Sequence, residues 1–392
     1  MGSHKNVKLL YWINFFIDFV PYKVVAIIYF TKVTGSFTLG MSIFSVAMLS
    51  AAIFQIPTGL FSDKFGRKKT VMAGALAGIF STLFYAIGYS HFVLVIGSIF
   101  AGLARAFYSG NNDALLYETL AESQNNNEYH HHLGRTSSMF QIALVISAVL
   151  GGMLASWSFA VVMWVSIIPQ FGTLILSLCL KETKNLTEHQ NNPFLILIES
   201  LKQFIKNKNL RLMTYASMIS YGVGEPSYYF RTTFINSLWP LWAICIPNIL
   251  SNIGGALSFY FSGKVLNKVK PLKALEFQTI SNRIINIIAY IYPTIFSPLI
   301  LSASSFTYGI GSVAENMLFQ KEFTDKERAT LSSLNSLIGN IMFAVAGIIM
   351  GVVADKIGPA KTLLLTQIFL AIPLYFYWKI YKNLPISNGR FK

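Results

Sequence analysis

Acidic residues are scarce in this chain. Only 16 of its 392 residues are Asp or Glu, and only 12% are charged of either sign, about half the share that a soluble domain carries. A water-facing surface of ordinary size cannot be built from so few charges. Cysteine is nearly absent: Cys179 and Cys245 fall in different apolar stretches, which excludes a disulfide framework and a cysteine metal site and leaves both as packing residues. His130, His131 and His132 follow the polar run NNNEY with no Cys or acidic cluster to complete a metal centre, and are read as a solvated loop. The sequence has no phosphate loop of the form GxxxxGK(S/T) and no HExxH, which argues against ATP hydrolysis and metalloprotease chemistry. The formal net charge is +15, yet no basic soluble domain carries it, so nucleic acid is not the expected partner; anionic membrane lipid is.

What the chain has in abundance is apolar length. Hydrophobic residues make up 54% and mean hydropathy is +0.53. A hydrocarbon core about 30 Å thick takes roughly 20 helical residues, and twelve apolar segments of that order are present: 8–30, 36–59, 70–90, 91–118, 136–156, 159–180, 210–236, 238–262, 272–295, 297–320, 329–353 and 360–380. Backbone polarity in lipid dictates helices, and the runs are too long and continuous for barrel strands. The expected fold is all-α and integral to the membrane, with twelve transmembrane helices. The first segment carries Asp18, Pro21 and Lys23 and lacks a small-residue cleavage site, so it is expected to stay rather than to be removed as a signal peptide.

The basic residues fix an orientation. Of the 31 Lys and Arg, 24 fall at the termini or in alternate connections, including Lys64, Arg67, Lys68 and Lys69, Arg135, the run Lys202 to Arg211, and Lys264 to Lys273, and four lie inside spans. The other connections hold only Lys32, Lys356 and Lys361. Both termini are therefore expected in the cytoplasm. The chain divides into 1–180, a polar linker 181–209, and 210–392. Within the linker Phe194, Leu195, Leu197, Ile198, Leu201, Phe204 and Ile205 recur at helical spacing beside Lys202, Lys206 and Lys208, which predicts an interfacial amphipathic helix. The flanking halves read as repeats: GKVLNKVKPLK (Gly263 to Lys273) aligns without a gap on GLFSDKFGRKK (Gly59 to Lys69), with Asn267 in place of Asp63 and Lys270 in place of Gly66. Pro226 is expected to break the seventh helix as Pro21 breaks the first.

The stretch Gly59 to Lys69 carries the most specific signal. Gly59 and Gly66 suit a tight turn with close backbone approach, Asp63 suits a helix N-terminus, and Arg67, Lys68 and Lys69 form a basic cluster between two apolar spans. The pattern Gly-x-x-x-Asp-Lys-x-Gly-Arg-Lys resembles the signature loop between helices 2 and 3 of the major facilitator superfamily of secondary transporters, at every fixed position. The resemblance implies two pseudo-symmetric six-helix bundles and a substrate site near the midplane lined by helices 1, 4, 7 and 10. It implies that the loop is a conformational latch, with Asp63 capping a helix of the C-terminal half and Arg67 paired to Glu118, or else Glu122. LARAFYSGNNDALLYETL, Leu103 to Leu120, is similar to the helix 4 region of bacterial drug-efflux members, with Arg105 at the position linked to proton coupling; SAVLGG (Ser147 to Gly152) keeps only the glycine pair of the helix 5 antiporter motif. GVVADKIG, with Gly351, Asp355, Lys356 and Gly358, echoes the loop motif before the last helix and is read as a structural turn.

Ionisable groups inside the spans are the place for chemistry, because a charge at mid-bilayer costs at least about 2.5 kcal/mol. Asn14, Asp18 and Tyr22 share a face of helix 1 at spacings of four, with Lys23 turned away from Asp18. Arg105, Tyr108, Asn112 and Asp113 form a stripe on helix 4, with Asp113 or Asp18 as the partner of Arg105. Tyr221, Glu225, Tyr228 and Tyr229 form one on helix 7, and Tyr308, Gly311 and Glu315 one on helix 10. For any of these, pairing that merely orients helices is the competing reading, and for Arg283 it is the preferred one, with a neighbour's carbonyls as partners. Carboxylates out of water can bind and release a proton as access alternates. The expectation is thus not an enzyme but a secondary transporter of a small organic solute, needing no cofactor beyond an ion gradient of protons. It is expected to be a monomer in the bacterial plasma (inner) membrane. Export is preferred, with proton-coupled uptake of a small polar or zwitterionic solute as the alternative. A membrane-embedded enzyme would need a clustered nucleophile or metal site, and a non-transporting sensor an added soluble domain; these residues supply neither.

Overall fold

A computed structural model describes residues 2–122, 124–125, 128–183, 204–322 and 328–383. Every regular element among them is helical. The expected interfacial helix of the linker lies for the most part outside the described residues.

The first apolar segment folds as α1 (Gly2–Asp18), a 3-10 turn (Pro21–Val24) and α2 (Ala26–Thr34). Pro21 has no N–H to continue α1, and the N–H groups freed around it find hydroxyls on neighbouring helices: Val20 N donates to Ser147 Oγ at 2.9 Å and Tyr22 N to Ser166 Oγ at 3.1 Å. That is how a broken helix survives where water is absent. Next come α3 (Phe37–Phe65), capped by Ser36 Oγ on Leu39 N, α4 (Arg67–Ile87) and α5 (His91–Tyr108). Then follow α6 (Asn111–Glu122), α7 (Tyr129–Trp157), α8 (Phe159–Val165) and α9 (Ile167–Leu178). After the linker the chain forms α10 (Lys208–Leu238), a 3-10 turn (Leu241–Ile244), α11 (Cys245–Leu266), α12 (Pro271–Ile291) and α13 (Ser297–Ala303). It ends in α14 (Ser305–Glu322), α15 (Arg328–Ile357), α16 (Pro359–Phe369) and α17 (Pro373–Asn383).

Eight stretches of the described residues are long and apolar enough to cross a membrane. The protein is a multi-pass membrane protein. The expected first, seventh, ninth and tenth spans are helical but outside those eight; each carries polar or charged groups, among them Asp18, Glu225, Arg283 and Glu315. Large side chains such as Ile53, Ile168, Phe277 and Ile368 are about two-thirds exposed, as suits a surface whose solvent is hydrocarbon rather than water.

Four local expectations are corrected. Pro226 does not break the seventh helix, since α10 runs through it, as transmembrane helices tolerate proline. The fourth segment does break, at Gly110 with φ +72° between α5 and α6. The histidines open α7 instead of forming a solvated loop: His132 is buried, in contact with Tyr11 OH and 3.2 Å from Glu128. Cys179 is exposed rather than packed.

The chain divides into two compact units. One comprises Met1–His189, Tyr229–Ile249 and Ala344–Pro359, and the other Gln190–Tyr228, Leu250–Phe343 and Ala360–Lys392. The first has a core of Val25, Tyr29, Phe30, Ile43, Tyr85, Leu94 and Met163 around the broken first span. A second cluster at the basic-rich end joins Leu10, Ile13, Val71, Leu115, Leu116 and Leu180. In the other unit Leu210, Met213, Leu272, Leu275, Ala314, Phe319 and Tyr377 pack together.

Candidate functional site

The signature stretch is shorter as a loop than its sequence suggests. α3 continues to Phe65 and α4 starts at Arg67, so only Gly66, at φ +93°, makes the turn. Gly59 lies within α3 with open space around it, so the close approach expected of both glycines belongs to Gly66 alone. A Cβ on Gly66 would sit 2.5 Å from the carboxyl carbon of Glu182, whose Oε1 accepts from Lys68 N at 3.0 Å. Glu182 thus caps the first turn of α4, where backbone N–H groups lack intrahelical partners.

Arg67 meets the first of its two expected partners: Nε donates to Glu118 Oε1 at 3.0 Å and Nη1 to Ser62 Oγ at 2.8 Å. Glu118 is 3% exposed, and its second oxygen accepts from Thr183 Oγ1 at 2.6 Å. Ser62 Oγ also donates to Asn111 Oδ1, and Asn111 Nδ2 to Arg67 O. Lys68 Nζ reaches Leu178 O at 2.8 Å, and Asn6 holds both backbone groups of Lys181 at 3.0 Å. Asp63 lies 3.9 Å from Arg67. Glu182, Thr183, Ser62 and Asn111 were not found from sequence; only the spacing of the loop itself pointed to this end of the bundle.

Deeper in the same unit, Asp18 ends α1, and Lys23 Nζ lies 3.9 Å from its Oδ1. Lys23 was expected to face away; the 3-10 turn swings it back, because helical spacing no longer applies beyond Asp18. Arg105 is the second cation acting on that carboxylate. Asn112 Nδ2 donates to Asn14 Oδ1 at 3.3 Å, and Asn14 Nδ2 to Leu10 O. Asn112 Oδ1 and the hydroxyl of Tyr108 are buried with no hydrogen-bond partner. Asp113 is exposed. Because Gly110 interrupts the fourth segment, the four residues expected as one stripe are divided between α5 and α6. Tyr22 is drawn into the core, its ring edge-on to Tyr85 at 5.4 Å, and Tyr229 packs at a tilt against Phe44 with centroids 4.4 Å apart.

The other unit gathers the remaining candidates around Tyr308, whose hydroxyl lies within electrostatic reach of Glu225, Glu315, Tyr221 and Tyr228. Glu315 is held by Ser217, which also accepts from Asn335 Nδ2 at 3.3 Å. Tyr221 OH donates to Asn340 Oδ1 at 3.3 Å, and Gly311 backs onto Gln278. Arg283 does not bind carbonyls through Nε or Nη1: both are buried without a partner. Among the described residues no group of His, Cys, Asp and Glu could hold a metal ion.

At the basic-poor end of the first unit, Asp355 of α15 takes hydrogen bonds from the start of α3: Phe37 N at 2.6 Å, Thr38 N at 3.0 Å and Thr38 Oγ1 at 2.6 Å. The segment read as a turn does turn at Gly358, between α15 and α16, and it also makes a contact between residues 318 positions apart.

Comparison with known proteins agrees with this architecture. The family model of the Major Facilitator Superfamily matches residues 9–347. An uncharacterized MFS-type transporter, YxaM of Bacillus subtilis (strain 168), is 20% identical over 358 residues, covering 85% of each chain. Among solved structures, the nucleoside transporter NupG superposes with a TM-score of 0.81 at 14% identity, covering 97% of this chain and 100% of that one. A POT family transporter in complex with a thioalcohol-conjugated peptide gives 0.73 at 14% identity, covering 95% and 96%.

Proposed function

The chain belongs to the major facilitator superfamily, a family of secondary transporters and not of enzymes, and on that premise we propose that it moves a small polar organic solute by alternating access, driven by protons. The observation that carries the polar solute is the cluster around Asp18: a carboxylate between Lys23 and Arg105, beside a hydroxyl donor on Tyr108 and an amide acceptor on Asn112 that have no partner within the protein. Buried polar atoms left unpaired cost about 1 to 3 kcal/mol each, and a solute carrying both a donor and an acceptor relieves that cost when it binds. The solved neighbours, a nucleoside transporter and a POT family transporter in complex with a peptide, are in keeping with this class.

Asp18, Asp113, Glu225 and Glu315 are the proton carriers in this reading, and Arg105 exchanges one carboxylate for a solute anion or dipole. Arginine cannot shed its own proton to escape burial, so it needs an acceptor in every state. Export is the direction we carry forward, from the resemblance of Leu103 to Leu120 to drug-efflux members; uptake is the second reading, favoured by the amides, carboxylates and tyrosine hydroxyls that make up both clusters. Both termini lie in the cytoplasm of a bacterium in this proposal, and the protein acts as a monomer in its inner membrane.

The test is purified protein in proteoliposomes enclosing a pH-sensitive dye, challenged with nucleosides, dipeptides and amphipathic drugs under an imposed pH gradient. Solute-dependent proton flux is expected for the parent, and its sign gives the direction. Asp18→Asn or Glu225→Gln is expected to keep solute exchange while losing the pH response, and Arg105→Lys to fold but to transport at least about tenfold more slowly, for want of the planar fork. A pH response equal to the parent's in Asp18→Asn, Asp113→Asn and Glu225→Gln alike would place coupling elsewhere, and full activity in Arg105→Ala would leave that residue a packing charge.

A further inference from the structure

The first N–H groups of a helix have no intrahelical partner, and they carry the positive end of its dipole. In α3 one of them, on Leu39, is taken by the local cap Ser36. The groups on Phe37 and Thr38 go instead to a single carboxylate, Asp355, whose Oδ1 takes the first and whose Oδ2 takes the second together with the Thr38 hydroxyl. The helix therefore has two caps, one from its own sequence and one from α15.

The contact is not confined to one residue. One turn before Asp355, Gly351 sits directly on the backbone of Thr38: a Cβ there would come within 2.6 Å of Thr38 Cα and 2.9 Å of Phe37 O. Further along, Ser45 Oγ donates to Ala344 O at 3.0 Å, and Ser45 is 1% exposed. Positions 355, 351 and 344 share one face of α15, and 38 and 45 share one face of α3, so the two helices run antiparallel along a seam that closes at three levels. The frame around Asp355 also repeats the signature loop: Gly351-x-x-x-Asp355-Lys-x-Gly358 against Gly59-x-x-x-Asp63-Lys-x-Gly66. Both terminal glycines are left-handed, at φ +83° and +93°. The same device thus stands at opposite ends of the bundle.

We propose that Asp355 is the outer latch of the transport cycle, a positioning residue whose carboxylate holds α15 on the first turn of α3 while the basic-rich end is open and lets go when the basic-poor end opens. This rests on the transporter reading and its orientation. The two ends of such a protein open in alternation, so contacts that close one end must be strong enough to hold and weak enough to break. A carboxylate on a helix N-terminus is reversible in that sense, because water replaces its hydrogen bonds when the seam parts.

The test uses a reporter inside the seam. In a background with Cys179→Ser and Cys245→Ser, Ser45→Cys is exposed to a membrane-impermeant maleimide from the side that carries Lys32 and Lys361. Slow labelling is expected with Asp355 intact, about tenfold faster labelling with Asp355→Asn, and an intermediate rate with Thr38→Val, which removes one of the three donors and leaves the carboxylate in place. Thr38→Val also covers the case in which Asp355→Asn fails to fold, as judged by its elution from size exclusion. Labelling at the parent rate in the folded variants overturns the proposal, as does fast labelling in the parent. The readout needs no solute, so a failed labelling experiment leaves the transport reading standing, and a failed flux assay leaves the latch standing.

Discussion

Glu118 has both oxygens engaged, one by the guanidinium of Arg67 and one by the hydroxyl of Thr183, in a setting almost closed to solvent. Removing one partner of a buried ion pair strands the other charge and costs about 3 to 5 kcal/mol, whereas losing a hydroxyl contact costs about 1. Thermal unfolding in detergent is therefore expected to show a large drop in melting temperature for Glu118→Gln and a small one for Thr183→Val; equal values for both would mean that the ion pair holds nothing. Arg67 and Glu118 were legible in sequence because the spacing of the loop motif comes with an acidic partner at the end of helix 4. Glu182 was not. It lies in Lys-Glu-Thr-Lys, a polar run with no periodicity that reads as the start of a linker, and its role exists only because Gly66 leaves room for a carboxylate at the head of α4.

Elements were legible where composition alone decides them and illegible where neighbours do. Apolar length gave the eight stretches able to cross a membrane, and Pro21 gave the break between α1 and α2. The same residue type at Pro226 interrupts nothing, since α10 continues through it, and a proline by itself does not show whether a membrane helix will carry on past it. Gly110 was passed over for the opposite reason: the fourth segment was read as one helix from 91 to 118 although the polar run Ser109 to Asp113 lies inside it, and the backbone at Gly110 turns left-handed. At the first break the compensation has a name, because Tyr22 N donates to Ser166 Oγ in a fully buried contact. Ser166→Ala takes that acceptor away, at a cost of about 1 to 3 kcal/mol. The expected outcome is a protein of lower melting temperature and faster hydrogen exchange at Tyr22; protection at Tyr22 equal to the parent's would show that another acceptor takes over.

At the scale of the molecule the two Gly-x-x-x-Asp frames should act with opposite signs. In the proposed cycle Asp63 secures the basic-rich end and Asp355 the basic-poor end, each contact being worth about 0.3 to 2 kcal/mol where a charge meets a helix terminus. Spin-label distances across each end are expected to shift toward opening at the basic-rich end in Asp63→Asn and at the basic-poor end in Asp355→Asn, and to return toward the parent distribution in the double variant. Distributions unchanged in Asp63→Asn would remove that residue from the cycle. Family membership was readable from the stretch Gly59 to Lys69 because its fixed positions match the family's loop motif; the solute was not, because the groups proposed to meet it around Asp18 come from α1, α5 and α6, each read separately.

A carrier that runs on protons, as proposed for this one, is ruined by a slow drip of them. Along the seam between α3 and α15 nothing stands between the two main chains at Gly351, and a methyl group there would already collide. A joint too tight for a methyl group is also too tight for a file of water molecules, the route by which a proton would slip across without cargo. In the proposed cycle the missing side chain therefore sets how well the shut mouth insulates one compartment from the other. A chain with Ala at that position would be propped ajar, and its cells would lose gradient even when there is nothing to carry.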